Sequence, residues 1–137
     1  MMKTKIKAVI EKGTDGQYYI YSEEHFGNSY FGGFGNSVSA AKADFVASIK
    51  EAINEETEEN HKVPSFNDIK IEYQYDIPSF FNFFDFINVS KFASYVGINE
   101  SKMRAYKSGV SYPSEKTTTK IITAIQNIGD EFKTATL

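Results

Sequence analysis

Apolar residues fall on alternate positions at both ends of the first half of the chain, and on every third or fourth position between them. Ile6, Ala8 and Ile10 share one face of residues 3–11, the pattern of a half-buried strand. Gly13-Thr14-Asp15-Gly16 is a turn, and residues 17–22 read as a Tyr-rich second strand. A loop through His25 and Gly27 leads to a third strand over residues 28–34. The period then lengthens. Ser37 or Ser39 caps a helix on which Ala41, Phe45, Ile49 and Ile53 recur every fourth position, with Val46 beside them. The acidic run over residues 55–59 reads as a solvated helix end and linker. Ile69, Ile71, Tyr73 and Tyr75 then alternate with Lys70, Glu72, Gln74 and Asp76, the cleanest strand pattern in the chain.

This order, β-β-β-α-β, predicts one sheet with its helix on one face. A right-handed crossover from the third strand sets the fourth parallel to the first and third, in spatial order 3-2-1-4. The other face, or an edge, is left for a partner. Tyr-rich strands suit a protein contact, although Tyr is also a common sheet former.

Alternation ends at Asp76-Ile77-Pro78-Ser79, which separates a first domain, residues 1–76, from a second, residues 77–137. Ser79 is the candidate cap of a helix carrying Phe80, Phe81, Phe83, Phe84 and Phe86. Its apolar surface exceeds what one packing stripe needs, and the surplus fits a dimer contact or a seal between domains. Residues 90–109 carry the pattern of a helix-turn-helix. Ala93 is small where two helices cross, Gly97 suits a left-handed turn, Asn99 caps the second helix and Gly109 ends it. Phe92, Val96, Ile98, Met103 and Tyr106 supply the apolar faces. Ser114 caps a last helix with Ile121, Ile122, Ile125 and Ile128 on its buried side and Gly129 as its stop. The fold class expected is α+β: a β-β-β-α-β domain followed by an all-α domain.

Net charge is −3, which by itself argues against a nucleic-acid binder. Its distribution reverses that impression. Residues 1–75 hold 8 Lys against 12 acidic side chains, whereas residues 88–129 hold six basic side chains against Glu100 and Glu115. An acidic module and a basic one suggest two jobs. The absence of cysteine excludes disulfides and cysteine metal sites and fits a reducing cytoplasm. With no signal-like start and no span long enough for a bilayer, a cytoplasmic protein without a membrane role is expected.

No catalytic constellation is visible. Metal-dependent phosphodiester hydrolysis needs converging carboxylates, but Glu11, Asp44 and Asp68 lie on separate elements. His25 and His61 lack ligand spacing and read as surface residues. The run Gly32-Gly33-Phe34-Gly35 lacks the Lys of a phosphate loop and reads as a bulge or tight turn. No enzyme activity, metal or cofactor is expected.

The candidate chemistry is instead DNA recognition. Glu100, Ser101, Lys102, Arg104 and Ala105 should face base edges, with Arg104 suited to a bidentate contact with guanine. Asn99, Lys107, Ser108, Ser114 and Lys116 sit at helix ends, where contacts go to phosphates. Lys91 and Lys120 read as solvated surface. Few phosphate contacts per protomer imply a homodimer or higher oligomer on palindromic double-stranded operator DNA.

The second domain's Tyr106, Gly109 and Pro113-Ser114 resemble the lambda-repressor-like class of helix-turn-helix domains. Nearly the whole chain resembles the HicB family of antitoxins, in the variant common among Bacteroides-type bacteria. In the first domain the resemblance rests on Asp15-Gly16-Gln17-Tyr18, the Gly-rich third strand and Ser39-Ala40-Ala41-Lys42-Ala43. In the second it rests on Ser79-Phe80-Phe81, Asn88-Val89-Ser90, Ala93, Gly97-Ile98-Asn99, Arg104-Ala105-Tyr106, Ser108-Gly109 and Tyr112-Pro113-Ser114-Glu115-Lys116. Glu23-Glu24-His25-Phe26-Gly27 replaces the family's Pro-Asp-Leu-Pro-Gly segment. The resemblance implies a partial ribonuclease-H-like domain without catalytic carboxylates, which neutralises a small basic mRNA-cleaving HicA-like toxin, and a helix-turn-helix that represses the operon. The alternative is a stand-alone repressor whose first domain serves ligand binding or oligomerisation.

Overall fold

The computed structural model describes residues 4–137; Lys3, the expected first residue of the first strand, lies outside them. Strands β1 (Thr4–Lys12), β2 (Tyr18–Phe26), β3 (Ser29–Gly35) and β4 (Ile69–Tyr75) form one sheet in the order β3-β2-β1-β4. β1 pairs antiparallel with β2 and parallel with β4, as the crossover requires. Helix α1 (Val38–Glu58) makes that crossover. Ile6, Ile10, Ile20, Phe31, Phe45 and Ile49 are buried in the core between sheet and helix, each contributing roughly 1.5–3 kcal/mol by leaving water.

Ser37, not Ser39, caps α1, its side chain accepting from the Ala40 N–H. The glycine run is neither a bulge nor a tight turn. Gly32, Gly33 and Gly35 lie in β3 in regular register with β2, and the irregularity falls on the other side of Tyr21. Their use is close approach: a Cβ on Gly33 would stand 2.6 Å from the Ala41 carbonyl oxygen and from the Phe45 nitrogen. β2 also runs on through His25 to Phe26, where a loop was expected, because the His25 ring stacks on Tyr30 across the strands.

The acidic run ends α1 and is exposed at Glu55, Glu58 and Glu59, but Glu56 departs from that pattern. Glu56 is 1% exposed, and its carboxylate accepts the Asn28 N–H at 3.1 Å and the Ser29 hydroxyl at 2.9 Å, and pairs with His61. It clamps the β2–β3 turn to the last turns of α1. Gly27 passes beneath it at φ +56, where a Cβ would stand 2.5 Å from Glu56 Oε2.

Asp76, not Ser79, caps helix α2 (Ile77–Phe83), accepting the Ser79 N–H at 2.9 Å. Its other oxygen accepts the Lys12 N–H at 3.0 Å, tying the end of β1 to the helix. The chain divides into two compact units, Met1–Phe84 and Asp85–Leu137. The Phe-bearing helix therefore falls with the sheet, later than the expected boundary after Asp76. Its Phe80, Phe83 and Phe84 rings gather around Tyr75 of β4, and burial pushes the Tyr75 hydroxyl up to about 12.

The second unit holds helices α3 (Val89–Val96), α4 (Glu100–Ser108) and α5 (Glu115–Thr134) among the described residues. Gly129 does not stop α5, which continues to Thr134. Ala124 takes the buried place expected of Ile122, which is 48% exposed. No helix among the described residues is long and apolar enough to cross a membrane.

Candidate nucleic-acid interface

Asn88 caps α3, accepting the Lys91 N–H at 2.9 Å. Ala93, 1% exposed, is the small residue of its packed side, and Met103 at 0% is its counterpart on α4. Between them Gly97 adopts φ +85, and the Gly97 and Ile98 N–H groups both donate to the Ala93 carbonyl at 2.9 Å. This closes the C-terminus of α3 on a left-handed residue. Lys120, expected to be solvated surface, donates from Nζ to the Gly97 carbonyl at 3.0 Å. The cation thus holds the turn from α5.

Asn99 begins α4, its side-chain oxygen accepting from Ser101 N–H at 2.8 Å and Lys102 N–H at 3.3 Å. That oxygen caps the helix, so only its amide N–H groups remain to meet a phosphate. Met103 turns inward, while Glu100, Ser101, Lys102, Arg104, Lys107 and Ser108 are exposed and Ala105 is half-buried. Gly109 ends the helix at φ +83. Ser108 donates to the Ala105 carbonyl at 3.0 Å. Ser114 caps α5 by accepting the Thr117 N–H at 3.2 Å, and Lys116 is exposed in that first turn.

Arg104 faces outward but is engaged. Its Nη2 lies 2.7 Å and its Nε 3.1 Å from Glu100 Oε1, and Nη2 also donates to Ser90 Oγ at 3.2 Å. The Ser90 hydroxyl, itself bonded to Glu100, and the Arg104 guanidinium hold the Glu100 carboxyl below its ordinary value. Glu100 is therefore an internal partner for the arginine. The i,i+4 spacing carried this signal in the sequence. Nothing in the sequence pointed to Ser90 or Lys120.

In the sheet unit Glu11 hydrogen-bonds Tyr21, Asp44 accepts the Phe34 N–H at 3.0 Å, and Asp68 lies in a single 3-10 turn over Phe66–Asp68. Among the described residues one group of three possible metal ligands comes together, Glu56, Glu59 and His61, with ligand atoms within 4.8 Å of one another. The Glu56 oxygens are already taken by Asn28, Ser29 and His61, so the group works as charge pairing. His61 is thus a partner of a buried acid, not plain surface. On the helical unit a shallow apolar groove of about 320 Å³ runs along Phe92, Tyr95, Ile128 and Phe132.

No family model, no curated protein and no solved structure matches this chain.

Proposed function

We propose that this chain is the antitoxin of a toxin–antitoxin pair. In this reading α3 and α4 form a helix-turn-helix that lays α4 in the major groove of operator DNA. The sheet unit is a partial ribonuclease-H-like domain that binds and neutralises a small basic mRNA-cleaving toxin of the HicA kind.

One observation carries the DNA half: the left-handed Gly97 and the capping Asn99 hold α4 so that Lys102, Arg104 and Lys107 are all exposed while Met103 is buried. A short, capped helix with a basic outer side is what major-groove entry requires. The acidic excess over residues 1–75 supports a basic protein partner, since complementary charge steers association. No enzymatic step is part of the proposal. The apolar groove beside Phe132 supplies surface for the homodimer that a palindromic operator demands.

Co-expression with the product of the neighbouring reading frame, expected in this reading to be a short basic protein, tests the antitoxin half. A stable complex and rescue of toxin-induced growth arrest are expected. Failure of both removes the antitoxin reading and leaves a DNA-binding regulator.

A further inference from the structure

Both helices of the sheet unit lie on one face of the sheet: α1 covers the core, and α2 packs around Tyr75 beside it, with Asn82 accepting the Val38 N–H at 2.9 Å. The β3 edge is closed as well. Its outward Gly32 and Phe34 N–H groups are taken by Ser48 Oγ at 3.2 Å and Asp44 Oδ2 at 3.0 Å, both from α1. Strand addition at that edge is blocked. The outer face over β2 and β3 is open, with Tyr19, Tyr21, Tyr30 and Phe34 exposed.

That face carries rings in a set order. Tyr19 lies opposite Phe34, Tyr21 opposite Gly32, and His25 opposite Tyr30. Tyr19 and Phe34 stack at 6.2 Å between centroids, and His25 and Tyr30 at 4.4 Å. Gly32 leaves a notch between the two stacked pairs, with only the Ile20 carbonyl within 4 Å of where its Cβ would be. Tyr30 and Phe34, 69% and 62% exposed, stand on either side, their Cα atoms about 13 Å apart at strand rise.

A sheet with exposed rings could stack nucleic-acid bases, but the charge around these rings has the wrong sign. The Tyr19 hydroxyl donates to Asp15 and the Tyr21 hydroxyl to Glu11 at 3.0 Å. These carboxylates push both phenols up, and Glu23 adds to the effect on Tyr21. The cations of this outer face, Lys5, Lys7 and Lys70, lie on β1 and β4, where Glu72 pairs with Lys5 at 3.2 Å and stands in register with Lys7. Rings bordered by carboxylates repel phosphate and attract guanidinium and ammonium groups.

We propose that this notch docks a cationic segment of a partner protein, whose Arg or Lys side chains lie on the stacked rings and end against Asp15, Glu11 and Glu23. The assignment rests on the antitoxin reading for its natural partner, and it names the surface and chemistry by which that partner is held.

The test uses the full chain and three probes: a short peptide alternating arginine and serine, its lysine counterpart, and single-stranded oligouridylate. The arginine peptide should shift the backbone amide signals of Gly32 and its neighbours, with weaker binding by the lysine peptide and none by oligouridylate. Removing two rings together, Tyr30→Ala with Phe34→Ala, should weaken the arginine peptide by about tenfold at the strength of exposed cation–π contacts. Glu11→Gln with Asp15→Asn should weaken it without touching a ring, which keeps the test decisive if the ring variant misfolds. Unchanged affinity in both variants, or oligouridylate occupying the notch, overturns the assignment. None of these probes is the toxin, so such a failure leaves the antitoxin reading to its own co-expression test.

Discussion

Arg104 and Glu100 share one turn of α4, with the guanidinium Nη2 2.7 Å from the carboxylate oxygen. In the proposed reading, the arginine that would read a base is held by its own helix until DNA competes for it. Glu100→Gln should tighten binding to every DNA sequence, since it removes a negative charge facing the phosphates and frees the guanidinium. Arg104→Ala should cost about 1–3 kcal/mol and relax preference at a single base pair. Fluorescence anisotropy on operator duplexes with single base changes separates the two effects. Weaker binding by Glu100→Gln would mean that the carboxylate itself contacts DNA.

The cap of α2 gives a paired test. Asp76 accepts both the Ser79 and Lys12 N–H groups, whereas the buried Ser79 hydroxyl has no hydrogen-bond partner. Asp76→Ala should cost about 0.5–2 kcal/mol. Ser79→Ala should leave stability unchanged or raise it, because it removes an unsatisfied polar group. Urea denaturation ranks the two variants, and a Ser79→Ala loss as large as that of Asp76→Ala would reassign the cap.

Glycines separate by what surrounds them. Gly129 lies mid-helix with open space where its Cβ would go, so Gly129→Ala should stabilise the helical unit by about 0.5–1 kcal/mol. A Cβ on Gly33 would stand 2.6 Å from α1 backbone, so Gly33→Ala should destabilise the sheet unit by at least about 1–3 kcal/mol. Thermal midpoints should move in opposite directions. Tolerance of Gly33→Ala would show that α1 can retreat from the sheet.

The pair of buried Glu56 and exposed His61 sets a pH window. The His61 hydrogen bond, followed by that from Ser29, holds the Glu56 carboxyl below its ordinary value of 4.5. The bond to Glu56 raises His61 above 6.5. The His61 contribution is complete below pH 6.5 and is lost as pH rises through its raised value. The Glu56 contribution is complete above pH 4.5 and is lost as pH falls through its lowered value. Stability from this pair is therefore greatest between those two limits. In thermal unfolding across pH, wild type should weaken on the alkaline side of the window, and His61→Ala should lose that dependence. The same alkaline decline in both proteins would assign it to another group.

The sheet order was legible because period-2 alternation at Ile6–Ile10 and Ile69–Tyr75 brackets one helical period, and crossover handedness leaves a single arrangement. The turn into α4 was legible for a related reason: Gly97 and Gly109 suit a left-handed backbone that few residues adopt, and Asn99 carries a side chain suited to capping. What was hidden depends on distant partners. The residues flanking Glu56 do not reveal that the Gly27 turn delivers an N–H and a hydroxyl to it. Asp76 and Ser79 are both good caps by type, and only the chain's path out of β4 chooses between them. Gly129 resembled a stop, yet α5 continues through it to Thr134. The Phe-rich segment showed its apolarity but not its address, which Tyr75 sets.

The most direct measurement is anisotropy of a duplex from the region upstream of this chain's own gene, titrated with the full chain at 50 and 200 mM salt. Specific binding should fall by roughly 10³–10⁵ over that range for a dimer neutralising several phosphates. Lys116→Ala should flatten the salt slope by about one unit while leaving base preference intact. Salt-independent binding, or affinity unaltered by Arg104→Ala and Lys116→Ala together, would mean that α4 is not the DNA-reading helix.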